Sequence, residues 1–503
     1  MTISWSKQQQ SIFEFFKHGQ GNLVVRARAG TGKTTTIVEG VKHAPDNSIL
    51  LAAFNKSIAT ELQRKLVNPN AEAKTLHGVG NSFIYEHLGK TTLDFNLPWK
   101  QKRSRVLSEA AIVKHTKNAV APGPVVTMIG KLMTLGREMA PFAESGDDLI
   151  DIAFAFELIP DAGQEAIGWT VGRVCDCAYV AMQLAKAPSQ IIDFTDMLFL
   201  PVVNGWAKPR YDLVCVDEAQ DMNACQLMLA LKVCRPTGRI VVVGDDRQAI
   251  YGFRGADSGS IDRLKNELDA VELGLTTTYR CPALVVDEAN RLVPDYDAAP
   301  NAPEGVISRV LVAELPEVAE PGNFVLSRTN APLAKVCLEF LRNNVRAMIK
   351  GKDIGKRLQT ISKKLADNNN YLPLDQFLSA LAVWEQEEIQ KALKAEKEGR
   401  AGQVADQAET LRILCEGMKT VKDLLFRIDD LFGEPAKQHG VVICSTVHKA
   451  KGLESKRVFI LGETFYPGRR DKMSPGRLLE ESNIEYVAIT RTMEELTWVT
   501  GLL

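Results

Sequence analysis

The chain has no apolar run long enough to cross a membrane and no excess of charge of either sign. Its apolar runs all fall short of the roughly 20 residues that a membrane-spanning helix requires. Its start, MTISWSKQQQSIFEFFKHG, lacks the basic segment and long apolar core of a signal peptide. Lys plus Arg number 61 against 62 Asp plus Glu, a net charge of −1 at pH 7. These absences predict a soluble cytosolic protein and argue against broad electrostatic binding as its main activity, so any electropositive surface must be local.

Nine cysteines are scattered along the chain without a paired CxxC motif. Cys175 and Cys177 form the one close pair, whereas Cys215 and Cys444 lie inside apolar strand candidates. This distribution favours free buried thiols over a metal, redox or iron–sulfur site.

A glycine-containing turn follows an apolar run in Leu23-Val-Val-Arg-Ala-Arg-Ala-Gly-Thr-Gly-Lys-Thr-Thr. A helix-forming stretch comes next, so backbone N–H groups and a helix N-terminus would converge on an anion. Lys33 would reach the β- and γ-phosphates of a nucleoside triphosphate, and Thr34 would hold Mg²⁺. Ala27 stands where the general pattern has glycine, and we interpret it as a variant because two later glycines still permit close backbone approach. The predicted nucleotide contacts in this loop are Ala29, Gly30, Thr31, Gly32, Lys33, Thr34 and Thr35.

Two carboxylates follow a second apolar strand, Leu213-Val-Cys-Val. Sheets of the α/β class place their ligands beyond the carboxyl ends of strands. Asp217 is there positioned to ligate Mg²⁺, and Glu218 to orient or deprotonate an attacking water. An Asp-Glu pair can also be a solvated helix start, but the phosphate loop upstream favours the catalytic interpretation.

The tract 243–256, VGDDRQAIYGFRGA, places two chemically different side chains five positions apart. Gln248 would sense the terminal phosphate of the nucleotide, and Phe253 would stack on a base. Stacking contributes about 1–3 kcal/mol per base whatever the base, which suits sequence-independent binding of a single strand. An ordinary core position is the alternative for Phe253. The tract predicts a mechanical link between a triphosphate and a nucleic-acid strand.

Further motifs follow one another along the chain. They are KQQQSI at 7–12, FNK at 54–56, TLHG at 75–78, DFTD at 193–196, TYR at 278–280, TVHKAKGLE at 446–454 and EYVAITR at 485–491. Together with the phosphate loop and the DEAQ tract at 217–220, this series resembles the superfamily 1 helicases of the UvrD/Rep/PcrA group.

The resemblance implies a role for each matched position. Gln8 contacts the adenine, Tyr279 stacks on it, and Glu454 accepts a hydrogen bond from the ribose. Arg280 and Arg491 match the arginine fingers, which approach the γ-phosphate across a cleft between two motor domains. In other phosphoryl-transfer systems such a finger is worth about 10³–10⁵ in rate. The implied catalytic residues are Lys33, Asp217, Glu218, Gln248, Arg280 and Arg491, with ATP and Mg²⁺ as cofactors and Mg²⁺ held by Thr34 and Asp217.

The strand-binding residues that the resemblance implies are Phe54, Asn55, His77, Phe253, Arg254 and His448. A structural role is equally open for His77 and His448, because a lone histidine is often a satisfied core residue. RNA stays open as a substrate, since stacking on aromatic rings ignores the 2′-hydroxyl.

The expected fold is α/β, with two RecA-like parallel-sheet motor domains, each interrupted by a mainly helical insertion. At 503 residues the chain is long enough for three or four structural units. The predicted boundaries are 1–80 and 190–277 for the first motor domain, 81–189 for its insertion, 278–349 and 439–503 for the second motor domain, and 350–438 for its insertion. Within the second insertion, Gly399 and Gly402 interrupt the heptads of 384–398, so a helical hairpin is expected in place of a coiled coil.

Three departures from the family's fuller members bear on function. The second insertion is short, and the sequence ends a dozen residues after Arg491, so we expect neither a C-terminal nuclease nor a docking tail. Thr35 stands where the family commonly has arginine.

We expect an ATP-dependent translocase and helicase that moves 3′→5′ on single-stranded DNA and acts at duplex junctions in replication, repair or recombination. The polarity comes wholly from the resemblance. The alternative is a helicase-like ATPase subunit of a nuclease or defence complex, which unwinds little without a protein activator or nuclease partner. A nucleic-acid-binding module with a decayed motor is a third possibility, and retention of the six catalytic residues argues against it.

Overall fold

The structure is a computed structural model, and it describes residues 4–53, 55–116, 120–250, 260–394, 398–433, 440–466, 473 and 475–502. The chain divides into two compact units, Met1–Ala27 with Gly32–Leu275 and Arg28–Thr31 with Thr276–Leu503. In the described residues, no helix is both long and apolar enough to span a bilayer.

Parallel strands and their covering helices build the first unit. Its strands are β1 (Leu23–Ala27), β2 (Ile49–Ala53), β3 (Ala71–Thr75), β4 (Thr92–Leu93), β5 (Ile191–Ile192), β6 (Tyr211–Val216), β7 (Cys234–Gly244) and β8 (Val271–Leu275). Its helices are α1 (Lys7–His18), α2 (Lys33–His43), α3 (Lys56–Lys65), α4 (Leu76–Leu88), α5 (Arg103–Thr116), α6 (Gly123–Met139), α7 (Ile150–Ala155), α8 (Ala162–Ala166), α9 (Val171–Ala185), α10 (Asp196–Val203), α11 (Ala224–Val233) and α12 (Ser260–Glu267).

Six strands form one sheet in the order β3-β2-β6-β7-β1-β8, and their pairings are parallel. Along β1, Leu23 and Val25 face one hydrophobic core whereas Val24 faces another. Apolar side chains on both faces explain why the strands read as continuous apolar runs. Because β6, β7 and β1 are neighbours, the loops that follow their carboxyl ends emerge side by side.

A first helical cluster, α5 to α9, has its own core around Ile129, Leu132 and Trp169. The short parallel pair β4 and β5 lies where the chain leaves the sheet region and returns to it. The cluster falls within the predicted insertion at 81–189, and Pro124 lies in the first turn of α6. The exact boundaries of the insertion stay a prediction.

Buried charges tie this cluster to the helix that precedes β6. Arg137 on α6 is fully buried and donates to Asp193 (2.7 Å) and Asp196 (2.8 Å). Arg103 on α5 lies 2.6 Å from a second oxygen of Asp196. Two guanidinium groups therefore neutralise two carboxylates inside the fold, and the DFTD motif serves as a structural junction.

The second unit contains a seven-stranded sheet in the order β11-β17-β16-β12-β15-β13-β14, with parallel pairings. Its strands are β9 (Thr277–Thr278), β10 (Asp297–Ala298), β11 (Val306–Leu311), β12 (Phe324–Ser327), β13 (Ala347–Lys350), β14 (Phe432–Gly433), β15 (Val442–Thr446), β16 (Ser455–Leu461) and β17 (Thr492–Thr500). Its helices are α13 (Ala283–Asn290), α14 (Leu315–Val318), α15 (Ala331–Arg342), α16 (Lys352–Leu365), α17 (Leu374–Lys394), α18 (Glu398–Cys415), α19 (Val421–Leu431), α20 (Val447–Ala450) and α21 (Pro475–Ile489). The two parallel sheets confirm the predicted fold class.

A second helical cluster, α16 to α19, falls within the predicted insertion at 350–438. Helices α17 and α18 pack against each other, as a helical hairpin would. Gly399 and Gly402 lie inside α18, so the helix accommodates both glycines. Each glycine costs a helix about 1 kcal/mol, and burial of Val404 and other apolar residues of α18 offsets that cost.

We predict that Arg137→Ala destabilises the protein by about 3–5 kcal/mol, because the buried carboxylates of Asp193 and Asp196 would lose the positive charge of Arg137 that neutralises them. Denaturant unfolding followed by circular dichroism measures the effect. Arg105→Ala is the matched control, since Arg105 pairs with Glu109 on the surface of α5, and its loss should cost less than about 1 kcal/mol. Equal losses for the two variants would contradict the structural role of the junction.

Candidate active site

The phosphate loop connects β1 to α2 through two left-handed glycines. Gly30 has φ 71° and Gly32 has φ 77°, a conformation that residues with a Cβ rarely adopt. Gly32 is the N-cap of α2, and Lys33 is its first residue. The loop thus presents the N-terminus of a buried helix to the region beyond β1.

The ammonium of Lys33 lies among three carboxylates. Its Nζ is 3.4 Å from Oε2 of Glu218, and the neighbouring Thr34 donates its hydroxyl to Oδ2 of Asp217 at 2.8 Å. Burial acts to lower the pKa of Lys33, but the negative charges of Glu218, Asp245 and Asp217 outweigh it and raise that pKa. The lysine is therefore held fully charged at the mouth of the phosphate loop.

Negative charge is in excess around this single cation. Burial, with the nearby charge of Glu218, raises the pKa of Asp217 to about 6, although Lys33 and Thr34 act in the opposite direction. The Asp217 carboxylate and the Thr34 hydroxyl are hard oxygen donors, which suit Mg²⁺. No group of three or more His, Cys, Asp or Glu side chains suited to a metal occurs among the described residues. The donor set therefore fits Mg²⁺ that also takes ligands from a bound phosphate.

A relay of hydrogen bonds joins the end of β6 to the end of β7. Gln220 donates to Oε2 of Glu218 (2.6 Å) and accepts from the backbone N–H of Asp245 (3.0 Å). Gln248 in turn donates to Oδ2 of Asp245 (2.8 Å). Gln220, Asp245 and Gln248 are all buried, so these bonds are shielded from competing water. Sequence reasoning identified Glu218 and Gln248 but missed Gln220 and Asp245, which connect them.

The backbone of Glu218 adopts a left-handed conformation, with φ 52° and ψ 44°. Such a conformation costs a non-glycine residue on the order of 1–3 kcal/mol and concentrates at functional sites. The N–H of Glu218 donates to Oδ1 of Asp217 at 2.9 Å, which offsets part of the cost. The turn directs the Glu218 carboxylate toward Lys33.

Helix α1 brings a glutamine to the phosphate loop. Gln9 is buried, and its Nε2 donates to the hydroxyl of Thr36 on α2 at 3.1 Å. Its amide nitrogen lies 3.6 Å from the ideal Cβ position of Gly32. Gln8, the residue matched to the adenine contact, is half-buried on the same helix, and its role stays a prediction. Gln9 was missed, yet its spacing to Ile12, Phe13 and Phe16 places it on the buried face of α1.

In the second unit, Arg280 pairs with the residue matched to the ribose contact. Its Nε lies 2.5 Å from Oε2 of Glu454, and its Nη1 donates to the carbonyl oxygen of Thr490 at 3.2 Å. Tyr279 beside it exposes 51% of its surface, so its ring face is available for stacking.

Arg491 is bound to backbone carbonyls of the same unit. Only 1% of the residue is exposed, and its guanidinium donates to the carbonyl oxygens of Val487 (2.9 Å) and Leu453 (3.2 Å). Burial, with the nearby charge of Arg280, lowers the pKa of Arg491 to about 10. The guanidinium must change partners before it can act as an arginine finger.

The phosphate-loop residues that group with the second unit carry further hydrogen bonds there. Arg28 pairs with Asp295 at 2.7 Å, and the N–H of Ala29 donates to the hydroxyl of Tyr486 at 3.0 Å. The N–H of Tyr279 donates to the carbonyl oxygen of Gly30 at 2.9 Å. Arg28, Asp295 and Tyr486 were not singled out by sequence reasoning.

The predicted strand-binding residues are partly described. Asn55 caps α3, where its side chain accepts from the N–H of Ile58 at 2.9 Å. His77 is half-buried near the start of α4, and His448 lies on the short helix α20. Their roles stay predictions. Phe54, Phe253 and Arg254 lie outside the described residues.

An exposed aromatic residue lies beside His77. The ring centroid of Phe194, in the DFTD motif, is 6.3 Å from that of His77, and Phe194 exposes 54% of its surface. Burial lowers the pKa of His77, which favours the neutral imidazole. The pair forms an uncharged stacking surface that sequence reasoning missed, because the two residues are 117 positions apart along the chain.

Two family models match the chain, the UvrD/REP helicase N-terminal domain over residues 5–269 and the UvrD-like helicase C-terminal domain over residues 352–500. The chain belongs to the UvrD/REP helicase family. This confirms the resemblance drawn from the motifs.

Curated relatives carry helicase names. F-box DNA helicase protein 1 of Schizosaccharomyces pombe is 26% identical over 98% of this chain and 57% of its own length. DNA helicase II of Escherichia coli is 25% identical over 54% of this chain and 38% of its own length. A probable DNA helicase II homolog of Mycoplasma pneumoniae is 22% identical over 95% of this chain and 82% of its own length. The chain thus spans about two fifths to three fifths of the first two of these relatives.

Proposed function

We propose that this chain is an ATP-dependent DNA helicase that moves 3′→5′ on single-stranded DNA and separates duplexes ahead of it. The supporting observation is the contact set beyond the first sheet, where Lys33, Thr34, Asp217 and Glu218 meet. These residues provide a charged amine for phosphates, two hard oxygens for Mg²⁺ and a carboxylate for water. Family membership and the names of the relatives support DNA as the strand.

Nucleotide binding would proceed by exchange of partners. Lys33 would leave Glu218 for the β- and γ-phosphates, and Thr34 with Asp217 would hold Mg²⁺, which neutralises phosphate charge when bound. Glu218, released from the ammonium, would orient and deprotonate the attacking water. The 3.4 Å contact between Lys33 and Glu218 is the one that this exchange would break.

The relay from Glu218 to Gln248 would couple hydrolysis to the strand. When Glu218 changes its partner, its hydrogen bond to Gln220 would change as well. Gln220 is bonded to the N–H of Asp245, so the change would reach the loop that begins at Asp245. That loop continues into the tract that carries Phe253, the proposed base-stacking residue. The His77–Phe194 pair offers a further stacking surface on the same unit.

The arginines of the second unit would also exchange partners. Arg280 would leave Glu454 for the γ-phosphate, and Glu454 would accept a hydrogen bond from the ribose. Arg491 would give up its carbonyl partners for the same developing charge.

We predict that Lys33→Ala lowers ATP turnover by roughly a hundredfold or more, because it removes a cation that stabilises transferring phosphate charge. Steady-state phosphate release, measured with and without single-stranded DNA, tests this. Lys65→Ala is the matched control, because Lys65 pairs with Glu61 on the surface of α3 and should leave turnover unchanged. If ATP turnover is the same in wild type and Lys33→Ala, with and without DNA, the assignment as an ATP-dependent enzyme is refuted.

We predict that Gln220→Ala uncouples hydrolysis from the strand, because it removes the link between Glu218 and Asp245. The stimulation of turnover by single-stranded DNA should fall by about tenfold, while DNA affinity from fluorescence anisotropy should change little. A proportional fall in turnover with and without DNA would show instead that Gln220 only positions Glu218.

The proposed polarity predicts that a duplex with a 3′ single-stranded overhang is unwound faster than one with a 5′ overhang. Strand separation is followed by fluorescence dequenching with ATP and Mg²⁺ present, and a blunt duplex is the control. Faster unwinding from the 5′ overhang would reverse the polarity without affecting the ATPase assignment.

A further inference from the structure

The first helical cluster contains an open groove that the proposed mechanism does not use. It encloses about 490 Å³ between α5, α6 and the segment after α7, within the roughly 300–1,000 Å³ of small-molecule sites. Val126, Leu135, Phe156 and Leu158 supply apolar walls. The groove therefore has the size and lining of a binding site for a flat apolar group.

An indole lies at the edge of this groove. Trp99 forms part of a single 3₁₀ turn, Trp99–Gln101, lines the groove and exposes 53% of its surface. Four positions earlier, Phe95 exposes 70%. Both rings offer flat faces on which a base can stack.

Cations are interleaved with these rings. The segment 99–105, WKQKRSR, has four basic residues and no acidic one. The ammonium of Lys102 lies 5.7 Å from the centroid of the Phe95 ring, and Lys100 is exposed next to Trp99. Across the groove, Lys131 of α6 is exposed at the rim.

Three acidic residues lie near the groove. Asp94 precedes Phe95 and is buried, where its carboxylate accepts from the backbone N–H of Arg103 at 2.8 Å. Glu109 pairs with Arg105 at 2.5 Å, and Glu157 lies between two of the apolar wall residues in the chain. The basic residues Lys100, Lys102, Arg105 and Lys131 outnumber them. Aromatic rings with surrounding cations match a phosphodiester strand that presents a base, and a neutral apolar peptide would have no use for the cations.

We propose that this groove is a second binding subsite for single-stranded DNA, in which one unstacked base packs against Trp99 and the flanking phosphates contact Lys131 and Lys100. The inference rests on the proposed function for its choice of DNA. It adds a contact on the first helical cluster to the strand-binding residues near the sheet. A base held there keeps the strand attached while the motor contacts change.

Photo-crosslinking tests the occupant directly. The full chain without nucleotide is irradiated with oligo-dT that carries 5-iodo-2′-deoxyuridine, and the adduct is located by peptide mass spectrometry. An adduct at Trp99 or Phe95 is expected. Adducts elsewhere with none at either ring would overturn the proposal and leave the groove to a peptide or another ligand.

Affinity measurements test the energetics. In fluorescence anisotropy with oligo-dT, Trp99→Ala should weaken binding by roughly fivefold to a hundredfold, whereas Trp99→Phe should retain most of the affinity. Lys131→Ala should reduce the slope of log affinity against log salt by about 0.7, a change that a purely structural role would not cause. Thermal melting confirms that each variant is folded.

Matched controls are present in the second helical cluster. Tyr371 exposes 70% of its surface, and Lys391 is exposed beside Glu387 and Glu388. Tyr371→Ala and Lys391→Ala should leave affinity and salt slope unchanged. If the control variants change DNA affinity and salt slope as much as the groove variants do, the proposed subsite is wrong.

The two proposals fail in different ways. Turnover in the Trp99→Ala variant at saturating DNA should equal that of wild type, because the groove contains none of the proposed catalytic residues. If the wild-type chain shows DNA-stimulated, Lys33-dependent turnover but no crosslink at Trp99 or Phe95, the groove proposal is rejected and the helicase proposal stands. Absence of that turnover in wild type rejects the helicase, whatever the crosslink shows.

Discussion

The ammonium of Lys33 is the charge around which the first unit arranges its site. Only 10% of the lysine side chain is exposed, and a cation in such a place must be paired. Glu218, Asp217 and Asp245 provide the opposite charge. Asp217 and Glu218 lie in the loop after β6 and Asp245 in the loop after β7, whereas Lys33 follows β1. The phosphate loop, the loop after β6 and the loop after β7 are therefore held together by one electrostatic requirement. In the proposed function, a nucleotide would satisfy the same requirement with its phosphates, so that its binding would replace an internal partner with an external one.

Sheet order makes this convergence possible. Strands β6, β7 and β1 are adjacent, although β1 ends at Ala27 and β6 begins only at Tyr211. Their apolar faces are buried on both sides, so the strands form a rigid base on which the loops need to move only slightly. The helical cluster α5 to α9 is inserted between β4 and β5, and the buried pairs of Arg137 and Arg103 fix it to α10.

The parts of the site that the sequence predicts are those with a local signature. Glycines in the phosphate loop and carboxylates after an apolar strand identify Lys33, Thr34, Asp217 and Glu218, because backbone geometry and strand ends are encoded over a few residues. Gln220 belongs to the DEAQ tract and Asp245 to the tract 243–256, but no local pattern shows that the two are joined, because their hydrogen bond links loops that are 25 residues apart. The phase of α1 decides which of Gln8 and Gln9 is buried, and three apolar residues further along the helix place Gln9 on the buried face. The acidic DFTD motif is visible in the sequence, but its partners Arg103 and Arg137 are defined only by the tertiary fold.

Both units keep their proposed nucleotide-binding charges paired internally. Lys33 contacts Glu218 in the first unit, and Arg280 contacts Glu454 in the second. Breaking such pairs costs binding energy, so the ground-state complex is weaker than the number of charged contacts would suggest. The same pairs hold the side chains in place, which lowers the reorganisation needed when charge develops in the transition state. Arg491 differs from Lys33 and Arg280, because its partners are neutral carbonyl groups, whereas a γ-phosphate is charged. In the proposed function, Arg491 would exchange neutral carbonyl partners for charged phosphoryl oxygens. Such an interaction accelerates the chemical step only to the extent that it is stronger in the transition state than in the ground state.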